Sequence, residues 1–336
     1  MDFDGDGILD LVSGSYDPGE LYLFRGLGIG KIAQFAAREV IHDKSGKPIL
    51  KVPNQKEKVE SFGSWMAMVD WEDKGKLDIL VGTFDGMMFL RRNEGTRTKP
   101  VYSDKNEWVM VGNKRLRVPG GEHANPVIAD WDGDGLWDII TGSGEGGVYW
   151  YRNIGQKGKP RFAPPVALVP KHEGIGYGEL LDTNDQPRPG IRTQIAVVDY
   201  DGDGKLDLLV GDFCTYLHLR KDLTAEDRKK FESVCKRRDT AVTKLRASME
   251  QLRDEFKKSL AGVPKSEWNT PENNAMWQKK YQEMKVSPDY KKVNEEYEGL
   301  EKELQAFVDK GAASQGQSLG GDPSVAHGYV WLFRRK

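Results

Sequence analysis

The chain has 336 residues, and 38% of them are hydrophobic, which is enough to bury the core of one large or two ordinary domains. Its 50 lysines and arginines nearly balance 52 aspartates and glutamates, so the net charge of -2 gives no broad basic surface for nucleic acid. The sequence contains no run of 18 apolar residues that would span a membrane, and its two cysteines are too few for a disulfide framework.

Four acidic, glycine-rich loops recur along the chain and indicate an internal repeat. They begin at Asp2, Asp70, Asp130 and Asp199, at intervals of 68, 60 and 69 residues. Each loop is followed by a short apolar run that ends in glycine and then, after a turn, by a run that ends in arginine; for the last repeat, this second run lies at the far C-terminus. A third run follows in the first three repeats, and a further run precedes the last three loops. Such short runs, rich in β-branched and aromatic residues, predict antiparallel strands.

About four strands per repeat predict an all-β fold, and we interpret the repeats as about four visible four-stranded blades of a β-propeller. A sandwich or a β-solenoid is the alternative, but the repeats are too long for a solenoid rung. The predicted propeller covers residues 1–221 and closes with a strand at 327–336. Because the first loop follows only Met1, we expect an N-terminal truncation that would also remove a signal peptide, rather than a strand supplied by the C-terminus.

Residues 222–310 differ in composition from the repeats and predict α-helices. Thr224 and Asp227 fit a helix start, and two stretches carry apolar residues at spacings of three and four. These stripes are Val242, Leu245, Met249, Leu252 and Phe256, and Tyr290, Val293, Tyr297, Leu300, Leu304 and Phe307. They predict an antiparallel, coiled-coil-like hairpin inserted in the last blade, with a shorter helix after Pro271 between its arms. The segment is either an insertion without a role of its own or a protein-partner site, and residues 311–326 are predicted to be a flexible return to the blade.

Three of the acidic loops carry ligands suited to calcium. Aspartates occupy the first, third, fifth and ninth positions, and the backbone carbonyl of the seventh residue lies between them. Calcium prefers six or more hard oxygen ligands, and without a cation the carboxylates would repel one another. We predict three calcium sites, formed by Asp2, Asp4, Asp6, Ile8 and Asp10, by Asp130, Asp132, Asp134, Leu136 and Asp138, and by Asp199, Asp201, Asp203, Lys205 and Asp207. They are not EF-hands, because the twelfth residue is Ser, Thr or Val rather than glutamate.

The second loop departs from this pattern. It keeps Asp70, Glu72 and Asp78 but has Lys74 at the fifth position. The Lys74 ammonium would neutralise the acids in place of a metal ion, so we expect this loop to hold no calcium.

The loops DFDGDGILD, DWDGDGLWD and DYDGDGKLD resemble the calcium loop of FG-GAP or VCBS repeats, which build integrin-α-like β-propellers. The chain is similar to bacterial FG-GAP repeat proteins in particular, over residues 1–221 and about 326–336. The resemblance implies an extracytoplasmic protein, whether secreted, periplasmic or on the cell surface, whose propeller is stabilised by calcium and serves binding or adhesion. The family often has seven blades, whereas four repeats are visible in this sequence.

Loop residues at one end of the predicted blades are candidates for a ligand face that holds a protein or a glycan. Three precede a strand at comparable points of the second, third and fourth repeats, and the others lie in turns after the inner strands. The candidates are Trp65, His123 and Arg192, and Tyr16, Asp17, Phe84, Asp85, Glu145 and Asp212. Ordinary packing roles are the alternative for all of them.

The sequence favours a binding or adhesion module over an enzyme. We find no GxSxG, HExxH, P-loop or dinucleotide fingerprint. The alternative function is a carbohydrate-active lyase or hydrolase on a propeller scaffold, in which two acidic turn residues would act as general acid and base. The ligand, whether protein or glycan, is not specified by the sequence.

Overall fold

The computed structural model describes residues 2–16, 19–28, 32–49, 64–171, 181–182, 188–217, 219–263, 270–309 and 324–335. Within these ranges the chain forms four sheets in chain order, a two-stranded ribbon and three helices. All strand pairs are antiparallel apart from one short parallel pair in the fourth sheet. The prediction of repeated antiparallel sheets is confirmed, whereas the described residues do not show a closed ring of blades.

The first three sheets share one pattern, in which consecutive strands pair with each other in chain order. The first sheet contains β1 (Leu11–Gly14), β2 (Leu21–Phe24) and β3 (Glu39–Val40). The second contains β4 (Ser64–Val69), β5 (Asp78–Thr83), β6 (Met88–Arg91) and β7 (Glu107–Trp108), and is followed by a ribbon of β8 (Met110–Val111) and β9 (Lys114–Arg115). The third contains β10 (Asn125–Ala129), β11 (Asp138–Gly142), β12 (Val148–Tyr151) and β13 (Val166–Val169). In these three sheets the acidic loop leads into β1, β5 and β11, respectively, so the loops lie at the same end of their sheets.

The fourth sheet is completed by strands from both sides of the helical segment. It contains β14 (Leu181–Asp182), β15 (Ile191–Val198), β16 (Asp207–Leu217), β17 (Ser324–His327) and β18 (Val330–Phe333). β18 pairs with β16 as β12 pairs with β11, which confirms that the C-terminal run is the third strand of a repeat. The predicted flexible return at 311–326 is wrong at its C-terminal end, because residues 324–326 belong to β17, which pairs with β16. Residues 311–323 lie outside the described part of the chain.

Hydrophobic clusters lie between consecutive sheets, which therefore stack face to face. Neighbouring residues of one strand point to opposite faces, so that Ile79 packs towards the first sheet and Leu80 towards the third. Ile139 and Ile140 divide in the same way between the second and fourth sheets. All four side chains are fully buried. The innermost strands β1, β4, β10 and β15 also contact one another in chain order.

A recurring glycine allows these sheets to approach. A Cβ atom on Gly142 would lie 2.0 Å from the carbonyl oxygen of Thr193, and the Thr193 N–H donates to the carbonyl of Ser143 at 3.1 Å. Gly14 and Gly82 make the same contacts with the carbonyls of Ser64 and Ala124. The glycine that ends the apolar run is therefore required by close backbone packing between sheets in the first three repeats, whereas Gly211 in the fourth has no such contact.

The helical segment consists of α1 (Ala225–Ser259), α2 (Pro271–Val286) and α3 (Pro288–Leu304). The predicted helix start is confirmed, because Thr224 and Asp227 form a reciprocal capping box. Phe231 packs on Phe307 with ring centroids 5.8 Å apart, and Arg238 pairs with Glu301, so α1 and α3 run antiparallel. The predicted hairpin is visible in this part.

The apolar stripe predicted from the sequence did not include the N-terminal half of α1. Its best-buried residues include Phe231 and Val234, which precede the stripe, while Val242 and Leu245 are half-buried. Cys235 is a free thiol, and burial raises its pKa to about 11, while the Cys214 thiol donates a hydrogen bond to the Asp212 carboxylate at 3.8 Å. No helix in the described ranges is long and apolar enough to cross a membrane.

Candidate functional site

Three acidic loops each bring three carboxylates together. In each group one oxygen per residue lies within 4.8 Å of the other two; the groups are Asp2, Asp4 and Asp6, Asp130, Asp132 and Asp134, and Asp199, Asp201 and Asp203. The turn itself is held by hydrogen bonds from loop N–H groups. In the third repeat the Gly135 N–H donates to Asp130 at 2.9 Å and the Leu136 N–H donates to Asp134 at 3.0 Å. The first and fourth loops repeat both bonds.

Buried oxygens without partners show that a cation fits these loops. Oδ1 of Asp4, Asp130 and Asp132 is buried and accepts no hydrogen bond. Such an oxygen is costly in a folded protein, and a hard cation would satisfy it. A cluster of carboxylate oxygens is the donor set that calcium prefers. The first and third loops therefore fit calcium best, while the three acids of the fourth are exposed.

In each of these three loops, the third-position carboxylate contacts an arginine. The arginine directly follows the strand that pairs with β1, β11 or β16, respectively. The pairs are Arg25 with Asp4, Arg152 with Asp132, and Arg334 with Asp201. The Arg152 Nε lies 2.6 Å from Asp132 Oδ2, and the Arg334 Nη1 lies 3.7 Å from Asp201 Oδ2. These partly exposed guanidinium groups balance some of the negative charge of the loops.

The ninth-position aspartates are used differently from the other acids. In the third loop Asp138 is fully buried and accepts the N–H of Trp131 at 3.1 Å and the N–H of Asn153 at 2.6 Å. Asp10 and Asp207 make the equivalent pairs of bonds. They tie the loop to the strand end beside it and are not among the three-carboxylate groups. A carboxylate has about four acceptor sites, so their role as calcium ligands stays a prediction.

The second loop has the predicted internal cation. Lys74 Nζ lies 2.8 Å from Glu72 Oε2, and its hydrogen bond lowers the pKa of Glu72. Asp70 accepts the N–H groups of Lys74 and Gly75, so the loop keeps the same turn. Asp73 adopts a φ of 53° where the other loops have glycine. The ion pair is present, and whether this loop binds calcium stays a prediction.

Four predicted ligand-face residues meet at the opposite end of the sheets from the acidic loops. The ring centroids of Phe84 and His123 are 4.2 Å apart, those of Trp65 and His123 are 5.5 Å apart, and those of Tyr16 and Phe84 are 6.2 Å apart. These residues come from the first three repeats and form what we call the aromatic cluster. Asp17 lies outside the described residues.

Other predicted residues of this face have their own partners. The guanidinium of Arg192 lies 5.4 Å from the ring centre of Phe213. Glu145 pairs with Lys171 at 3.2 Å, and Asp85 accepts a hydrogen bond from the hydroxyl of Thr83. These two partners, Thr83 and Lys171, are not members of the aromatic cluster.

The sequence predicts that Asp212 lies in a turn of the ligand face, but the structure places it within a strand. β16 continues through it to Leu217, so the apolar run does not end at the glycine before it. Its carboxylate accepts the N–H of Gly190 at 2.7 Å, the N–H of Tyr329 at 2.6 Å and the indole N–H of Trp331 at 3.1 Å. Asp212 therefore joins neighbouring strands of the fourth sheet.

The strand register changes which positions are equivalent. Trp65 pairs with Gly82 across its sheet, and Asn125 and Gln194 pair with the corresponding glycines of the next two sheets. Trp65 is therefore equivalent to these two amides and not to His123 and Arg192. The latter two match each other, and both adopt a positive φ, of 53° and 52°.

A cavity of 460 Å³ lies beside the aromatic cluster, and we call it the inner-strand cavity. It is lined by residues of β1, β4, β10 and β15 and by the residues that follow β1. Tyr16 and Trp65 belong to both the cavity wall and the cluster. The sequence prediction missed its other polar lining residues, which could have been found only by placing the strands in register; they are Ser13, Ser15, Ser64, Asn125 and Gln194.

His123 makes folding stability depend on pH. It is 5% exposed, and burial together with the charge of Arg192 lowers its pKa from 6.5 to about 4. Between these values the unfolded chain binds a proton that the folded chain does not, so stability is lost as the pH falls through this window. At pH 5 the loss is about 2 kcal/mol, and above pH 7 it vanishes because the imidazole is neutral in both states.

We therefore expect the melting temperature of His123→Asn to fall less than that of the wild type when the pH is lowered from 7.5 to 5. Asparagine tolerates the positive φ at this position and does not titrate. Thermal melts at both pH values measure the difference, and the other histidines are common to both proteins. An equal loss of melting temperature in the two proteins would contradict this assignment.

Comparisons with known proteins agree with the geometry of the loops. Residues 130–210 match the family model of the FG-GAP-like repeat. Cartilage acidic protein 1 of Xenopus tropicalis is 25% identical over 202 residues, which cover 55% of this chain and 28% of that protein. The chain thus spans just over a quarter of this relative's length, and the bacterial type suggested by the sequence is not confirmed. Residues 130–210, with the third and fourth acidic loops, are an FG-GAP-like repeat, as their acidic pattern predicts.

Proposed function

We propose that the chain is a calcium-stabilised β-propeller module that binds a protein or a glycan outside the cytoplasm. The observation that carries the proposal is the recurrence of the three-carboxylate group in three of the four repeats. Two of the three groups contain buried oxygens without hydrogen-bond partners. Calcium would satisfy these oxygens and fix the loop that connects the two inner strands of a blade.

The packing of the sheets supports a propeller. Consecutive sheets stack face to face, and their innermost strands are adjacent, as in blades arranged around an axis. We propose that residues 1–221 and 324–336 form the blades, that 222–310 are an insertion in the last blade, and that 311–323 connect the insertion back to it. None of the residues of α2 is buried, so the insertion offers an exposed helix to a protein partner.

The location of the acidic loops supports a structural role for calcium. The loops and the aromatic cluster lie at opposite ends of strands such as β5, whose six residues span about 17–20 Å. Calcium bound in the loops would therefore stabilise the scaffold at a distance from a ligand on the aromatic face. Extracellular calcium modules bind with dissociation constants of about 0.1–1 mM. The relative's name associates that protein with cartilage, which supports an extracytoplasmic location.

The acids of the ligand face support binding rather than catalysis. Asp85 accepts a hydrogen bond from Thr83 and Glu145 pairs with Lys171, while Asp212 lies within β16 and outside this face. The alternative is a carbohydrate-active lyase or hydrolase. It predicts turnover of a glycan that disappears in a variant such as Asp85→Asn, whereas a binding module captures its ligand without turnover.

Lys74→Asp tests the proposed function by adding a calcium site. The substitution restores an acid at the fifth position beside Asp70 and Glu72, so we expect four bound calcium ions instead of three. Native mass spectrometry of the full chain in calcium counts the ions. Lys76→Asp is the matched control, because it makes the same charge change at the seventh position, where the ligand is a backbone carbonyl.

The expected counts are three ions for the wild type, three for Lys76→Asp and four for Lys74→Asp. Equal counts for the two variants would show that side-chain spacing does not determine binding. The absence of bound calcium from all three proteins would contradict the proposed function.

A further inference from the structure

The described lining of the inner-strand cavity differs in charge from the chain as a whole. Among the described residues that line it, none is acidic or basic, although 30% of the chain is charged. Its volume of 460 Å³ lies within the range of small-molecule sites in proteins, about 300–1,000 Å³. A charged ligand would lose its hydration there without meeting a counter-charge. The cavity therefore favours a neutral ligand.

The polar groups of the wall exclude a purely apolar ligand. Gln194 is exposed at the cavity, and its amide offers both donors and an acceptor. The hydroxyl oxygen of Ser15 is buried and has no hydrogen-bond partner. An apolar ligand would remove water from these groups and leave them unsatisfied, at a free-energy cost. A ligand with several hydroxyl groups would satisfy them.

Aromatic side chains supply the complementary apolar surface. Tyr16 is 66% exposed, and Trp65 is half-buried in the wall. Trp65 is supported from behind by His123, which packs on Phe84, so its indole is held in place. An aromatic ring presents a flat apolar surface at low cost in conformational entropy. The C–H face of a sugar ring matches such a surface.

We propose that the inner-strand cavity binds a neutral oligosaccharide, with Trp65 and Tyr16 against the sugar rings and Gln194 and Ser15 hydrogen-bonded to hydroxyl groups. This inference rests on the proposed function and names the ligand class of its binding face. Neutral glycans combine an apolar ring face with many hydroxyl groups and no charge, which is the combination that the wall requires. Acidic oligosaccharides lack this match.

The test is calorimetric titration of the calcium-loaded chain with neutral trisaccharides of glucose, galactose and N-acetylglucosamine, and with a trisaccharide of galacturonate. We expect a neutral trisaccharide to bind and the galacturonate not to bind. Trp65→Ala should weaken the affinity roughly tenfold or more, because it removes the stacking surface. Gln194→Ala should weaken it too, and this exposed position tolerates the change. Trp137→Ala is the control, since Trp137 is 47% exposed within the third acidic loop, at the opposite end of the sheets from the cavity.

Several results would overturn the inference. They are the binding of none of the neutral trisaccharides, preferential binding of the galacturonate, and binding that Trp65→Ala and Gln194→Ala leave unchanged. Calcium-dependent melting measured on the same samples separates these failures from failure of the proposed function. A chain that is stabilised by calcium and binds no neutral sugar would refute the inference alone.

Discussion

Gly142→Ala is expected to destabilise the chain by about 1–3 kcal/mol, the usual cost of inserting a methyl group into closely packed structure. The new Cβ would meet the carbonyl oxygen of Thr193 at 2.0 Å, so the third and fourth sheets must separate. This movement would also weaken the hydrogen bond from Thr193 to Ser143. The melting temperature should fall by several degrees.

Gly211→Ala is the matched control for this prediction. Gly211 occupies the same position in the fourth repeat, but its nearest Cβ contact is the carbonyl oxygen of Gln194 at 3.7 Å, an ordinary van der Waals distance. Alanine should therefore be tolerated there. Equal losses of melting temperature in the two variants would mean that the glycine is needed for its own strand and not for contact between sheets.

Calcium is expected to give the largest change in stability. A calcium site that exists only in the folded chain adds about 2.7 kcal/mol to the free energy of unfolding when free calcium is 100 times the dissociation constant. Three such sites therefore add about 8 kcal/mol. The gain is smaller where calcium must replace an existing ion pair, such as that of Arg152 with Asp132. Thermal melts in calcium and in chelator measure the effect, and magnesium controls for ionic strength.

We expect a rise in melting temperature with calcium that magnesium does not reproduce, because magnesium demands a smaller octahedral site. Asp132→Asn should lose part of this rise, since it removes one carboxylate of the third loop. A melting temperature unaffected by calcium would show that the loops are solvated turns. An equal rise with magnesium would point to general screening of the acidic loops.

The sequence was sufficient to predict the repeated sheets and the acidic loops. Both depend on local patterns: a strand alternates in hydrophobicity, and the loop places its ligands within nine residues. The capping box of Thr224 and Asp227 is local in the same way. Such features are fixed by neighbouring residues, and the chain shows them at the predicted positions.

Long-range features were harder to predict. The placement of Asp212 in a turn was wrong because the residues after Gly211 are part of a strand that pairs with β17 and β18, more than 100 residues away. The equivalence of Trp65 with His123 was wrong because register depends on pairing across the sheet. The inner-strand cavity was missed for the same reason, since its walls come from four repeats.

The most direct test of calcium binding is a calorimetric titration of the purified chain with calcium at neutral pH, after chelator has been removed. Binding with a stoichiometry of three would support calcium in the loops that begin at Asp2, Asp130 and Asp199. Heat that persists in a variant lacking the third-position carboxylates, Asp4, Asp132 and Asp201, would place the ions elsewhere. No binding at millimolar calcium would contradict the account, and the assignment of a calcium-stabilised binding module would fall with it.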